Sequence, residues 1–191
     1  MKKNIVRQRF KEKRSHLSME EIFSLSFSVQ QRFLDSPFYA AASTIAAYSS
    51  FMGEVDTSML VRRAIADGKC IAMPKMGKEH AFMDFIFIDG EDCLREEAYG
   101  IKEPLFDQKR LARKSDIDIF IVPAVVYDLA GCRIGMGKGY YDRALAGINR
   151  ERLVGFAYDF QVLEDIPCET HDIRVGSVVT EKRIVNTFYN N

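Results

Sequence analysis

A chain of 191 residues and 21.8 kDa is long enough for one domain with its own core. With 47% apolar and 28% charged residues, 12 glycines and 5 prolines, it is neither disordered, collagenous nor of low complexity. Its 27 basic and 27 acidic side chains cancel, so no global field calls for a nucleic acid or an anionic membrane, and any anion site has to be local. The longest apolar stretch, 117–126, is broken by Asp118 and Pro123, whereas a spanning helix needs about 20 nearly uninterrupted apolar residues. The basic start has no apolar core or cleavage site, and Glu12, Glu20 and Glu21 argue against a transit peptide. A cytoplasmic protein is expected. Cys70, Cys93, Cys132 and Cys168 are far apart, with no Cys-x-x-Cys pair and no nearby His ligand spacing, which predicts reduced, mostly buried thiols rather than a disulfide framework or a zinc site.

Residues 2–15 hold seven basic residues and one acid, with Val6, Phe10 and Leu17 roughly on one side, which predicts an amphipathic helix. Ser18-Met19-Glu20-Glu21 has the capping-box pattern, so a second helix runs through Ile22, Leu25, Phe33 and Leu34 towards Ser36-Pro37. Residues 44–49 read as a buried strand. Asp56-Thr57 starts a helix through Leu60, Val61 and Ala64 to Gly68, and 70–73 is the next strand, a β-α-β unit whose crossover predicts parallel pairing. Residues 82–88 form a further strand with its partner left open, antiparallel being one option. Residues 89–115 are charged and irregular, a surface excursion that is extended before Pro104. Residues 117–122 make the central strand, 138–145 a helix, 153–157 a strand and 175–180 a last short strand. The sum is one domain over 1–191: a three-layer α/β/α sandwich with a mostly parallel central sheet and no internal repeats.

The stretch 121–143, Ile-Val-Pro-Ala-Val-Val-Tyr-Asp-Leu-Ala-Gly-Cys-Arg-Ile-Gly-Met-Gly-Lys-Gly-Tyr-Tyr-Asp-Arg, runs from strand through turn into helix. Alternating Gly135, Gly137 and Gly139 permit a backbone that aims its N–H groups at one point, an anion cradle before a helix. Arg133 and Lys138 add fixed positive charge, which suits a polyphosphate. Lys138 is followed by Gly139 rather than Ser or Thr, and the glycine spacing is not that of a dinucleotide loop, so neither standard phosphate motif applies. On the residues alone a glycine-rich connection with solvated cations stays equally open. Asp142 is a candidate for a magnesium ion carried by phosphates, or a carboxylate favoured by the helix start.

The same stretch resembles the signature of the 5-formyltetrahydrofolate cyclo-ligase family, V-P-(x)4-D-(x)2-G-x-R-(x)-G-x-G-x-G-Y-Y-D-R. The resemblance extends along most of the chain: Lys3 and Arg7 match an N-terminal Lys-x-x-x-Arg, 48–57 a strand followed by Gly-Glu-Val-Asp-Thr, 100–104 a Gly-Ile-x-Glu-Pro, and Pro167 with His171-Asp172 a further segment. Four such matches in order make it specific.

The resemblance implies ATP- and Mg2+-dependent conversion of 5-formyltetrahydrofolate to 5,10-methenyltetrahydrofolate, with release of ADP and phosphate through a phosphorylated formyl oxygen. It implies that Lys3 and Arg7 contact ATP phosphates and that Arg133, Ile134, Gly135, Met136, Gly137, Lys138, Gly139, Tyr140 and Tyr141 form the nucleotide loop. Arg133, Lys138 and Tyr140 take the catalytic roles. Met136, Gly137, Lys138, Gly139 and Tyr140 also face folate, with Ser49 and Glu54 towards the pterin, whose N–H groups suit a carboxylate. Asp142 and Asp172 are the implied magnesium positions. Where relatives commonly carry Val-Asp, this chain has Val175-Gly176, which puts part of that metal site in doubt. His171 beside an acid reads as structural, although its ordinary titration range would allow a part in protonation. Singly, each has a plainer reading: Lys3 and Arg7 as solvated helix charges, Glu54 as a helix-start carboxylate, Tyr140 as a core aromatic.

The expected partner is a small molecule, with no nucleic acid and no membrane, and the expected state is a monomer, with a dimer as the alternative. A non-catalytic nucleotide- or folate-binding protein of the same fold is the competing class. An RNA-contacting basic arm is a third, without an RNP motif to support it.

Overall fold

The computed structural model describes residues 2–77, 82–97 and 100–188. Two helices open it, α1 (Lys3–Ser15) and α2 (Met19–Leu34). The capping box is formed: the Glu21 N–H donates to Ser18 Oγ at 3.1 Å and the Ser18 N–H to Glu21 Oε2 at 2.8 Å, satisfying two donors that a helix start leaves orphaned. A short helix α3 (Pro37–Ala41) leads to β1 (Thr44–Ala46), α4 (Ser58–Ala66) and β2 (Cys70–Met76). β1 and β2 pair in parallel with Ile45 opposite Ile71, the expected β-α-β unit. β3 (Met83–Ile88) lies antiparallel to β2.

The excursion after β3 is less irregular than expected. It holds β4 (Leu94–Glu96) and β5 (Lys102–Pro104), paired antiparallel, and it is not all at the surface. Ala112 is buried and donates its N–H to the Phe85 carbonyl at 2.8 Å, and Glu103 is buried too. β6 (Ile119–Pro123) follows, then β7 (Val126–Asp128), β8 (Arg133–Ile134) and the helix α5 (Tyr140–Ala144). Helix α5 starts two residues later than expected because Gly139 has φ +67°, a left-handed conformation in which a right-handed helix cannot begin. β9 (Leu153–Phe156), β10 (Val162–Leu163), β11 (Ser177–Val179) and β12 (Ile184–Asn186) complete the chain.

The main sheet has seven strands in the order β12-β11-β9-β6-β1-β2-β3. The five inner strands are parallel and both edge strands antiparallel. Side chains alternate across it with period two. Ile45, Ile71, Met73, Ile119, Ile121, Val154 and Phe156 pack under α2, α3 and α4, while Ala46, Ala72, Phe120, Val122, Leu153 and Val178 face the other side, covered by α5 and extended segments. Burial on both faces explains the unbroken apolar runs of the inner strands. A second sheet, β10-β7-β8, carries α1, whose Val6 and Phe10 pack on Val125, Val126, Cys132 and Ile134.

Cys132 and Cys168 form a disulfide, with Cα atoms 6.0 Å apart across 36 positions of sequence, while Cys70 is exposed and Cys93 half-buried. This overturns the expectation of four reduced, mostly buried thiols. The two partners meet only because the chain after β10 returns beside β7 and β8, which no short spacing signals. Among the described residues no helix is long and apolar enough to cross a membrane.

Candidate active site

Chain order reverses between β1 and β6: β2 and β3 lie to one side of that boundary and β9, β11 and β12 to the other. In open α/β sheets the crevice beyond the carboxyl ends of the strands at such a switch point is where ligands sit. Here a cleft of about 1020 Å³ opens there, lined by Tyr48 and Ser49 after β1, Lys75 and Met76 of β2, and Pro123 and Ala124 at the end of β6. The glycine loop of 135–139 with Arg133, Tyr140, Tyr141 and Asp142 forms one wall, joined by Lys3, Arg7 and Asp172, and Glu54 belongs to the same lining. Every residue expected to take a catalytic, nucleotide, folate or magnesium role lines this one cleft, and so does His171.

Lys3 and Arg7, four apart, lie one above the other on α1. Arg7 Nε donates to the Gly135 carbonyl at 2.8 Å. Gly137 has φ +99°, and a Cβ there would come within 3.4 Å of the Arg7 guanidinium carbon. A Cβ on Gly139 would lie 2.7 Å from Arg143 Nη1. Both positions are left-handed, which is why glycine is needed there for conformation. Arg133 is buried and ion-pairs with Asp142 through Nη2 and Oδ1 at 2.9 Å, its guanidinium 5.5 Å from the Tyr141 ring centre. Lys3 Nζ lies 2.6 Å from Asp172 Oδ2 and 3.3 Å from Glu169 Oε1.

Burial pushes the Asp172 carboxyl up, but the Lys3 ammonium and the Glu169 N–H together hold it below its ordinary value. Burial likewise works to lower Lys3, and the two carboxylates outweigh it and raise it. Asp142 Oδ1 also accepts from the N–H of Ile173 at 3.3 Å, so both aspartates border one corner. Among the described residues no three His, Cys, Asp or Glu side chains gather as a metal cage. One or two carboxylates beside a phosphate site is instead the donor set of a magnesium ion that arrives with phosphate oxygens. Gly176 lies outside the cleft lining, against the backbone of 150–151, where a Cβ would come 2.5 Å from the Arg150 carbonyl oxygen. His171 is exposed, 3.3 Å from Glu169.

The surroundings of Glu54 have a different character. Glu54 follows a turn in which Met52 and Gly53 have φ 48° and 73°, closed by the Glu54 N–H donating to the Phe51 carbonyl at 3.1 Å. A non-glycine residue in that region is uncommon and costs of order 1 kcal/mol, so the turn is held in place by its surroundings. Burial pushes the Glu54 carboxyl up to about 7, against the pull of Arg14 and of the Phe51 N–H. Buried Tyr48 and Tyr127 stand near it with hydroxyls driven up by burial, and burial does the same to Tyr141. Ser49 lines the cleft, but its hydroxyl donates to the Lys102 carbonyl. Sequence reasoning did not single out Tyr48, Lys75, Asp84, Glu103 and Phe106, which line the cleft as well. Only the Gly-Ile-x-Glu-Pro segment signalled that 100–104 belonged there.

Fold and cleft together define an α/β protein whose ligand site lies at the switch point of a mostly parallel sheet, with a cation-ringed glycine loop as one wall. The profile of the 5-formyltetrahydrofolate cyclo-ligase family matches residues 1–181. A 5-formyltetrahydrofolate cyclo-ligase of Escherichia coli K12 is 31% identical over 180 residues, 91% of this chain and 97% of that protein. One of Haemophilus influenzae is 29% identical over 184 residues, covering 93% and 97%. The solved structure of Aquifex aeolicus 5,10-methenyltetrahydrofolate synthetase superposes with a TM-score of 0.84 at 34% identity, covering 98% of this chain and 94% of that one. This chain belongs to the 5-formyltetrahydrofolate cyclo-ligase family and is a ligase by class.

Proposed function

We propose that this chain, as one domain, catalyses the ATP- and Mg2+-dependent closure of 5-formyltetrahydrofolate to 5,10-methenyltetrahydrofolate, releasing ADP and phosphate. The observation that carries this is a single cleft lined by both a cation-ringed glycine loop and a buried carboxylate. The formyl oxygen attacks the terminal phosphorus of ATP and the bond to ADP breaks. Nitrogen 10 of the folate then adds to the activated carbon and loses its proton, and expulsion of phosphate leaves the methenyl bridge. Phosphoryl transfer of this kind needs alignment and charge neutralisation more than a protein nucleophile, in keeping with a site built from backbone, Lys3, Arg7, Arg133 and Lys138.

In this reading the phosphates take over Lys3 and Arg133 from Asp172 and Asp142. Those carboxylates are then released to hold Mg2+, which when bound offsets charge on the phosphate oxygens. Tyr140 encloses the folate, and Glu54 accepts from the pterin N–H groups, with Ser49 beside it. The test is direct: protein, 5-formyltetrahydrofolate, ATP and Mg2+ are mixed and the absorbance of the methenyl product is followed. A rise that needs ATP, with one ADP per product, is expected. Binding of both ligands by folded protein without product would overturn the proposal in favour of a non-catalytic binder.

A further inference from the structure

Arg14 is the least expected residue of α1. It lies seven positions beyond Arg7 and eleven beyond Lys3, on the same side of the helix, yet it is 1% exposed where Lys3 still reaches the cleft mouth. Among the described residues its Nε and Nη2 have no hydrogen-bond partner. Its Nη1 meets only the Ala124 carbonyl at 3.5 Å and Glu54 Oε1 at 3.9 Å. A guanidinium keeps its charge, and burying it with its fork open is costly, so such a residue survives where its charge is used. The carboxylate it faces is equally short of partners, Oε2 accepting only from the Phe51 N–H at 3.2 Å.

The contact is also steric. A Cβ on Gly53 would come within 3.4 Å of Arg14 Cγ and 3.6 Å of the Arg14 carbonyl, so the turn that delivers Glu54 rests on the Arg14 stem. The titratable groups that face Glu54 from other elements are Tyr48 after β1, Tyr127 of β7 and Tyr141 of α5. Tyr158 after β9 donates to the Glu54 carbonyl at 3.4 Å. Burial drives all four hydroxyls up, so they stay neutral in the neutral range and leave Arg14 as the charge at that carboxylate.

We propose that Arg14 is a positioning residue, which from beneath the cleft holds Glu54 charged and oriented to receive the pterin N–H groups. The inference rests on the folate reading of the cleft. It makes capture of the folate, but not of ATP, depend on a cation that touches neither.

The test is the pH profile, from 5.5 to 9, of kcat/KM for 5-formyltetrahydrofolate in wild type, Arg14→Gln, Glu54→Gln and the double variant, with the folded state of each checked by circular dichroism. Wild type should lose kcat/KM on acidification through an acid limb near 7. Arg14→Gln should move that limb up by about one unit or more, the usual effect of losing an opposite charge at this range. The folate KM should rise about fivefold or more at pH 7, with the ATP KM unchanged. Glu54→Gln should abolish the limb, and adding Arg14→Gln to it should raise the folate KM no further, because Arg14 acts through Glu54. A folded Arg14→Gln with a wild-type limb overturns the proposal. If Arg14→Gln does not fold, the double variant, with both charges gone, decides: a folate KM above that of Glu54→Gln overturns it. Failure of the folate reading looks different, since Glu54→Gln would then leave both the limb and the folate KM unaltered.

Discussion

The glycine loop and the Glu54 turn, two parts of one cleft lining, handle charge in opposite ways. At the glycine loop, cations and carboxylates neutralise each other, Arg133 with Asp142 at 2.9 Å and Lys3 with Asp172 at 2.6 Å. At the Glu54 turn, Glu54 and Arg14 stand 3.9 Å apart with few other partners among the described residues, and burial lifts the carboxyl to about 7. The first arrangement is cheap to keep until an anion arrives and exchanges partners with it. The second is kept at a cost, the usual mark of a group whose charge is meant for a ligand. On the proposed function, a polyphosphate would be caught by many replaceable contacts, whereas a heterocycle would be selected by one carboxylate largely shielded from water.

The contrast breaks most visibly at the loop. Arg133→Ala should lower ATP-dependent formation of the methenyl product by about 100-fold or more, as for loss of a charge-stabilising donor, with the circular dichroism spectrum retained. Lys138→Ala should do the same, and unchanged turnover in both would remove the loop from the mechanism. Glu54→Gln comes next and has two signs. It should weaken folate capture at pH 8 while stabilising the fold.

The stability effect follows from linkage. The folded carboxyl titrates near 7 instead of its ordinary 4.5, so between these values the folded state binds more protons than the unfolded, and stability falls as pH rises through that window. Arg14's pull is already contained in that value. Above pH 7 the wild type should therefore be less stable than Glu54→Gln by at most about 3 kcal/mol, a difference that denaturant titration at pH 5 and 8 would show shrinking towards the acid side. An equal gap at both pH values would contradict the burial of Glu54.

Smaller effects sharpen the comparison. Gly139→Ala places a Cβ at φ +67° and 2.7 Å from Arg143 Nη1, which should cost about 1–2 kcal/mol and raise the ATP KM more than the folate KM. Ser18→Ala removes the cap of α2 and should cost about 1 kcal/mol, with turnover untouched when measured well below the melting temperature. A loss of turnover there would couple the start of α2 to the cleft.

Much of the architecture was legible because it follows from local rules. The capping box at Ser18 and Glu21 set the start of α2, the doubly buried runs marked β6 and β9, and the β1-α4-β2 unit came from length and periodicity. The glycine loop, Lys3, Arg7 and Glu54 stood out in the sequence as motif positions. The short strands β7, β8, β10 and β12 escaped because two or three residues carry no measurable period. Within the stretch taken for a surface excursion, burial of Glu103 depends on β5 being drawn to the cleft, and the Cys132–Cys168 link on a return of the chain over 36 positions.

By itself the sequence determined which residues could bind phosphate and which segments had to be buried, since side-chain chemistry and periodicity are properties of neighbours along the chain. Only the tertiary structure decided that Arg14 goes under the cleft while Lys3 and Arg7 stay at its mouth, and that Glu54 sits dry enough to titrate near neutrality. A charge in one helix reads alike at every turn. Its surroundings, and so its electrostatic weight, are set by whatever strands the fold brings against it.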